Sequence, residues 1–547
     1  MSKGRAILQQ KKQNFVQGAF ILLVANLVVK VIGALFQIPL KNLIGSNGFP
    51  AFGLFSVSYR IYIAMLVVST VGLPAALSKM VAEATTLGRE REVRRIVKVA
   101  ACIFVPLGAL CSLVLFFGAN ALAGVMHNPD VAFALAAIAP SVLMVSILSV
   151  FRGYHQGRSN MVPTAISQII ESLGKLLIGL GLAYFAMSRG MDAPAVAAMT
   201  VLGVTVGEIA AAVYMVGQGA LLRAKHAVTP PTLNDRMRSS STLCKTLLSL
   251  SIPITISSAV MSVTDLIDVA LIGLRLQTAI GMTSDQANAL YGVYTGMAVN
   301  FFNLPQTLVT ALAVSALPAL AGANVSQNFT KARKTIGTTF RMTMLITLPA
   351  GAGFLVLSEP ILRLVYHSDT RIAGPLMQML GLAVPCVALV AITNAMLQAF
   401  GRADLPLISM FAGALVKLFG DYFLIGNPNI QLMGAPISTV LCYALIAVIN
   451  LFQLRRLTQG LPPFGKTVVR PLAATLGMSA ATVICFQVVT RALQAAPGSG
   501  GDKLATLAAL IVAVVSYTVL LFALHAVERE DVMMLPQGEK LAKFLQL

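Results

Sequence analysis

Long apolar runs separated by short polar connections recur along the whole 547-residue chain. About 20 apolar residues suffice to cross a bilayer as a helix. Fourteen runs of that kind are present, at 15–38, 51–80, 97–120, 131–150, 161–187, 194–221, 246–274, 287–320, 338–358, 373–399, 405–426, 433–453, 469–490 and 504–526. The pattern predicts an all-α polytopic membrane protein with about fourteen transmembrane helices. The first run is far longer than the apolar core of a secretory signal, and no small-residue cleavage site follows it, so it is expected to stay in the mature chain.

The polar punctuation repeats. Residues 153–177 read GYHQGRSNMVPTAISQIIESLGKLL and residues 397–419 read LQAFGRADLPLISMFAGALVKLF. Each places Gly-Arg (Gly157-Arg158, Gly401-Arg402) ahead of a proline (Pro163, Pro406) and then a lysine (Lys175, Lys417). A Leu-Pro pair recurs at Leu73-Pro74 and Leu304-Pro305, with a basic linker after each. Two similar halves of six helices follow: an N-terminal lobe over 1–222, a polar linker over 223–245 and a C-terminal lobe over 246–453. An even number of spans gives both halves the same orientation, a parallel repeat about an axis along the membrane normal. Residues 454–547 add an accessory helix pair and a tail.

Composition agrees with the pattern: 57% of residues are hydrophobic, 11% are charged, and the mean hydropathy is +0.82, which excludes a soluble globule. The net charge of +20 raises nucleic acid as a partner, but its distribution argues against one. With the N-terminus inside, alternating connections place 28 Lys and Arg on the inner side, 7 on the outer side and 5 within spans. That asymmetry predicts both termini in the cytoplasm and reads the basic excess as topology. The six cysteines are scattered with no CxxC pair, and the five histidines are dispersed, so neither suggests a disulfide framework or a metal centre.

No P-loop, HExxH or GxSxG stretch is present and the loops are too short for a catalytic surface, so the reading is not an enzyme. The charges inside apolar runs carry the functional expectations. Lys30 is the only charged residue from Phe15 to Leu40. An ammonium there carries a penalty of about 2.5–3.5 kcal/mol on insertion scales. It lies roughly 15 Å from either end of its helix at 1.5 Å per residue, which favours a wet cavity over snorkelling. Arg60 in the second run is separated from Lys30 by a tight connection, and Arg275 ends the seventh. Together the three cations would form an anion site in a central cavity, with Arg offering the fork suited to phosphate oxygens. For Arg60 and Arg275, snorkelling to the headgroups stands as the alternative.

Glu171 and Lys175 at i,i+4 read as a structural ion pair, and Lys417 and Asp421 repeat that spacing in the second half. Asp265 and Asp268 have no partner on their own helix; they could bind a cation, titrate or pair with Lys417. Glu208, Lys79 and Glu83 read as packing or interface residues.

The segments KVIGALFQIPLKNLIG, LFSVSYRIY, STVGLPAALSKMVAE and GYHQGRSNMVPTAISQIIE resemble the polysaccharide-exporter branch of the multidrug/oligosaccharidyl-lipid/polysaccharide (MOP) flippase superfamily. Within it the likeness is to the stage V sporulation protein B group and MurJ-type lipid II flippases. The resemblance implies two six-helix lobes in a V shape, an appended helix pair, and alternating access that carries an undecaprenyl-diphosphate-linked saccharide outward. It places Lys30, Arg60 and, more loosely, Arg275 on the diphosphate, while Phe36 stands near the place of a second arginine. It also aligns Asp265 or Asp268, Asp421 and Thr439 with a sodium site in some relatives, where Lys417 takes an Asn position, so that an ammonium would replace the metal.

The leading expectation is therefore a lipid-linked oligosaccharide flippase in the cytoplasmic membrane, partnered by its lipid substrate, membrane lipids and cell-wall synthesis proteins. It would need no cofactor; ion or membrane-potential coupling stays open. A cation-coupled drug or metabolite antiporter and a non-transport scaffold for cell-wall or spore-cortex assembly are the alternatives.

Overall fold

The computed structural model describes residues 15–44, 50–70, 72–226, 238–306, 308–309, 320, 329–366, 370–402, 404–458, 460, 465–494 and 501–527. The N-terminal and C-terminal basic segments, most of the polar linker and the outer His367 therefore lie outside the described residues. All regular structure among the described residues is helical.

Helices α1 (Phe15–Ile44), α2 (Ala51–Thr70), α3 (Gly72–Thr86), α4 (Glu90–Phe117), α5 (Ala119–Val125) and α6 (Ala132–Gly157) come first. Next are α7 (Val162–Gly174), a π turn at Lys175–Gly179, α8 (Leu180–Ser188), α9 (Ala193–His226), α10 (Ser240–Thr278) and α11 (Ser284–Val293). The chain continues with α12 (Phe329–Val365), α13 (Ala373–Ala399), α14 (Asp404–Ile425), α15 (Gly434–Thr458), α16 (Arg470–Gln494) and α17 (Gly501–Ala523). Among the described residues, 12 helical stretches are long and apolar enough to cross a membrane. The other two runs expected from the sequence, 246–274 and 287–320, fall on α10 and on the helical segment opened by α11; residues 310–319 lie outside the described ones.

Contacts divide the chain into two compact units: Met1–Leu274 with Thr283–Gly292, and Arg275–Met282 with Val293–Leu547. In the first, α6 is central, packed against α2, α3, α4 and α9, while α7 lies on α9 and α1 on α7. Leu73, Leu77, Val93, Ile96, Val150 and Leu247 are buried together and join α3, α4, α6 and α10. In the second unit α12 packs on α13, α14 and α13 on α15, and α16 on α17. Phe117, Val213, Phe423 and Val514 stand exposed on long apolar helices, as side chains that face lipid do.

Close approach is built into the sequence at two crossings. A Cβ on Gly203 of α9 would stand 2.3 Å from the backbone of Gly179, and one on Gly207 would stand 2.7 Å from the Glu171 carbonyl oxygen. This GxxxG face of α9 thus lies directly on the α7 chain and its π turn. In the second unit a Cβ on Gly420 of α14 would come within 2.7 Å of the Ser438 side chain on α15. Both crossings bring charged neighbours of the glycines into the buried interior. In α12, Leu357 leaves helical geometry (φ −120°, ψ 19°) just ahead of Pro360. The proline ring there removes a helix donor and crowds the preceding turn.

Candidate functional site

Lys30 occupies the middle of α1 and is exposed. It has no ion-pair partner among the described residues; the charge that bears on it is the like charge of Lys175. Lys175 opens the π turn, and its ammonium meets the Tyr59 hydroxyl at 3.4 Å. It lies 5.4 Å from the ring centre of Phe36 and 5.3 Å from that of Tyr59. The two rings belong to an aromatic ladder: Phe36 meets Phe55 edge-on at 5.8 Å, Phe55 stacks on Tyr59 at 5.6 Å, and Tyr62 follows at 5.9 Å from Tyr59. Ring faces stabilise an ammonium by their quadrupole without neutralising it. Lys30 thus stands here without an acidic partner among the described residues, with the like charge of Lys175 nearby, an arrangement suited to an anion.

The intrahelical pair expected between Glu171 and Lys175 does not form. The Lys175 N–H still bonds the Glu171 carbonyl oxygen as in a regular α turn, but its ammonium reaches the Tyr59 hydroxyl of α2 instead. Glu171 is instead held by Arg152 of α6, whose Nη2 donates at 2.9 Å. Beside it, Glu208 of α9 is almost fully buried and accepts a 2.8 Å hydrogen bond from the Tyr62 hydroxyl.

Arg60 is brought to Asp265, which it reaches with Nη1 at 2.8 Å. The cation expected in the cavity is thus matched by a carboxylate of α10, and Asp265 is spent on Arg60 within the first unit. Asp268, one turn on, is buried. Arg275 is held at the end of α14. Its Nε donates to the Tyr422 carbonyl oxygen at 2.9 Å and its guanidinium covers the Tyr422 ring at 4.1 Å. The carbonyl-rich C-terminal turn of α14 attracts a cation in that place.

In the second unit the Lys417–Asp421 pair forms as spaced, at 3.2 Å, with the two side chains 2% and 0% exposed. The Lys417 ammonium also donates to the Ala435 carbonyl oxygen at 3.0 Å, Ser438 Oγ at 3.0 Å and Thr439 Oγ1 at 2.9 Å. Ser438 in turn donates to Asp421. The ammonium thus sits in a cage of oxygens from α14 and α15. Thr439 joins it as expected, together with Ser438 and Ala435.

Arg152, Tyr59, Tyr62 and Ser438 belong to these clusters and were not singled out by sequence reasoning. The SYRIY stretch points to the two tyrosines; Arg152 and Ser438 carry no local signal of that kind. Among groups of His, Cys, Asp and Glu, none in the described residues could hold a metal ion.

Two families match the chain: one described as Polysaccharide biosynthesis protein, over residues 15–324, and one described as MatE, over residues 253–423. The chain is 23% identical to Stage V sporulation protein B of Bacillus subtilis (strain 168), over 96% of this chain and 98% of that one. It is 23% identical to Lipid II flippase MurJ of the same organism, over 80% and 82%. Among solved structures, Lipid II flippase MurJ in an inward closed conformation covers 92% of this chain and 99% of its own, with a TM-score of 0.67 at 13% identity. An inward-facing multidrug resistance MATE family transporter of the MOP superfamily has a TM-score of 0.59 at 14% identity, over 80% of this chain and 98% of that one. These two structural likenesses establish a shared fold.

Proposed function

The chain belongs to the polysaccharide biosynthesis protein family of the MOP flippases, in the branch of stage V sporulation protein B and MurJ, and on that premise we propose that it flips a lipid-linked saccharide. It is a multi-pass membrane flippase or transporter. The proposed cargo is an undecaprenyl-diphosphate-linked saccharide, lipid II or a related cell-wall precursor, carried from the inner to the outer leaflet by alternating access. On this reading the lobes are 1–222 and 246–453, and both termini lie in the cytoplasm.

The observation that supports the reading is Lys30: an exposed ammonium halfway along a spanning helix, reinforced by Lys175 and without an acidic partner among the described residues. A diphosphate is the membrane-borne group whose charge suits it. Arg60 would join once Asp265 yields to the headgroup. The family match to MatE over residues 253–423 favours a cation-coupled antiporter as the second reading. Against it, the oxygen cage that the resemblance aligns with a sodium site already holds the Lys417 ammonium, which supports operation without sodium. The test is delivery of labelled lipid II to the outer leaflet in cells depleted of their own flippase. Restoration by this protein supports the proposal. Full membrane abundance with no restoration rejects lipid II as cargo.

A further inference from the structure

Glu208 has no part in the mechanism above, yet it is a buried carboxylate in the middle of a spanning helix of the first unit. It lies near the centre of the span Ala193–Gly219, 11 residues from the nearer end. That is roughly 16 Å of helix, beyond the reach of a Glu side chain to water. Its side chain is 1% exposed. One carboxyl oxygen accepts from Tyr62, and the other, Oε2, is buried without a hydrogen-bond partner. A buried ionised carboxylate with an oxygen lacking a hydrogen bond is disfavoured, and a bound proton relieves that cost.

The charged and titratable groups around Glu208 come from each helix packed on α9. They are Arg152 of α6, Glu171 of α7, Lys175 of the π turn and Tyr62 of α2, while α8 has no charged residue. Arg152 is already committed to Glu171 at 2.9 Å, so it cannot neutralise Glu208 in full. Lys175 links Glu208 to the candidate anion site, because it bears on Lys30 as well.

We propose that Glu208 is a proton-binding site whose occupancy is coupled to the anionic headgroup at Lys30 and Lys175. With Glu208 neutral, the cluster of Lys30, Lys175, Arg152 and Glu171 keeps two net positive charges; with Glu208 ionised it keeps one. Proton and anion therefore bind cooperatively, and by linkage each tightens the other. The step is the addition of one proton from water to the Glu208 carboxylate to give the acid; no other bond changes. The coupling rests on the proposed anion cargo, while the proton site itself does not.

Infrared spectroscopy of the full chain in liposomes, with no substrate present, tests the site. The protonated-carboxyl carbonyl band at pH 7 is expected to disappear in Glu208→Gln, and in Tyr62→Phe to persist at a shifted frequency because its hydrogen-bond donor is gone. A band identical in wild type and Glu208→Gln overturns the proposal. Binding to vesicles containing undecaprenyl diphosphate then tests the coupling. Affinity is expected to fall by roughly 5-fold or more as that band titrates away, and to be independent of pH in Glu208→Gln. Binding that ignores pH in wild type overturns the coupling. Absence of binding at every pH overturns the cargo and leaves the infrared result to decide the proton site.

Discussion

Arg60 Nη1 donates to Asp265 Oδ1 at 2.8 Å, joining α2 to α10 across 205 positions of sequence. The arginine is 17% exposed and the aspartate 53%. Water reaches the pair, so it contributes about 1 kcal/mol or less to stability. A headgroup that approaches Arg60 must displace Asp265. Asp265→Asn is expected to leave thermal unfolding nearly unchanged and to tighten binding of undecaprenyl diphosphate by up to roughly fivefold, the equivalent of that exposed pair. Unchanged or weaker binding would separate Arg60 from the anion.

Lys417 is a different case, because its partner Asp421 is 0% exposed. Removal of one member of a buried pair strands the other. Lys417→Ala is expected to lower stability by about 3–5 kcal/mol in thermal unfolding. Lys417→Leu combined with Asp421→Leu is expected to recover much of that loss, since no stranded charge remains. A double variant as unstable as the sum of the two singles contradicts this account.

The same ammonium carries the expectation on coupling. Replacement of sodium by potassium or choline is expected to leave wild-type lipid II delivery within the scatter of the assay, because the oxygens of Ala435, Ser438 and Thr439 already have their cation. Loss of delivery without sodium would place the coupling ion elsewhere.

The α7–α9 crossing predicts a contrast between two glycines. Gly203→Ala puts a methyl 2.3 Å from the Gly179 backbone and is expected to cost about 1–3 kcal/mol as the helices part. Gly181→Ala meets nothing within 4 Å and is expected to be neutral or slightly stabilising. Melting of the purified protein in detergent measures both. Equal effects would refute the close approach.

Long apolar runs made the helices legible, since hydropathy reports burial in lipid directly. So was the Lys417–Asp421 pair, whose i,i+4 spacing lies inside one regular helix. The Glu171–Lys175 spacing holds along the helix, but the carboxylate goes to Arg152 of α6 and the ammonium to Tyr59 of α2, partners on other helices that a spacing rule does not see. Arg60–Asp265 and Tyr62–Glu208 join residues 205 and 146 positions apart, and no local periodicity encodes such contacts. Arg275 looked available because its own helix offers it nothing; its partner is the end of α14.

The central claim is that the lysine halfway along α1 holds a diphosphate. The direct measurement is outer-leaflet delivery of labelled lipid II by wild type, Lys30→Arg, Lys30→Ala and Lys30→Glu, at matched membrane abundance. The account predicts delivery by wild type and Lys30→Arg and none by Lys30→Ala or Lys30→Glu. Undiminished delivery by Lys30→Ala would contradict it.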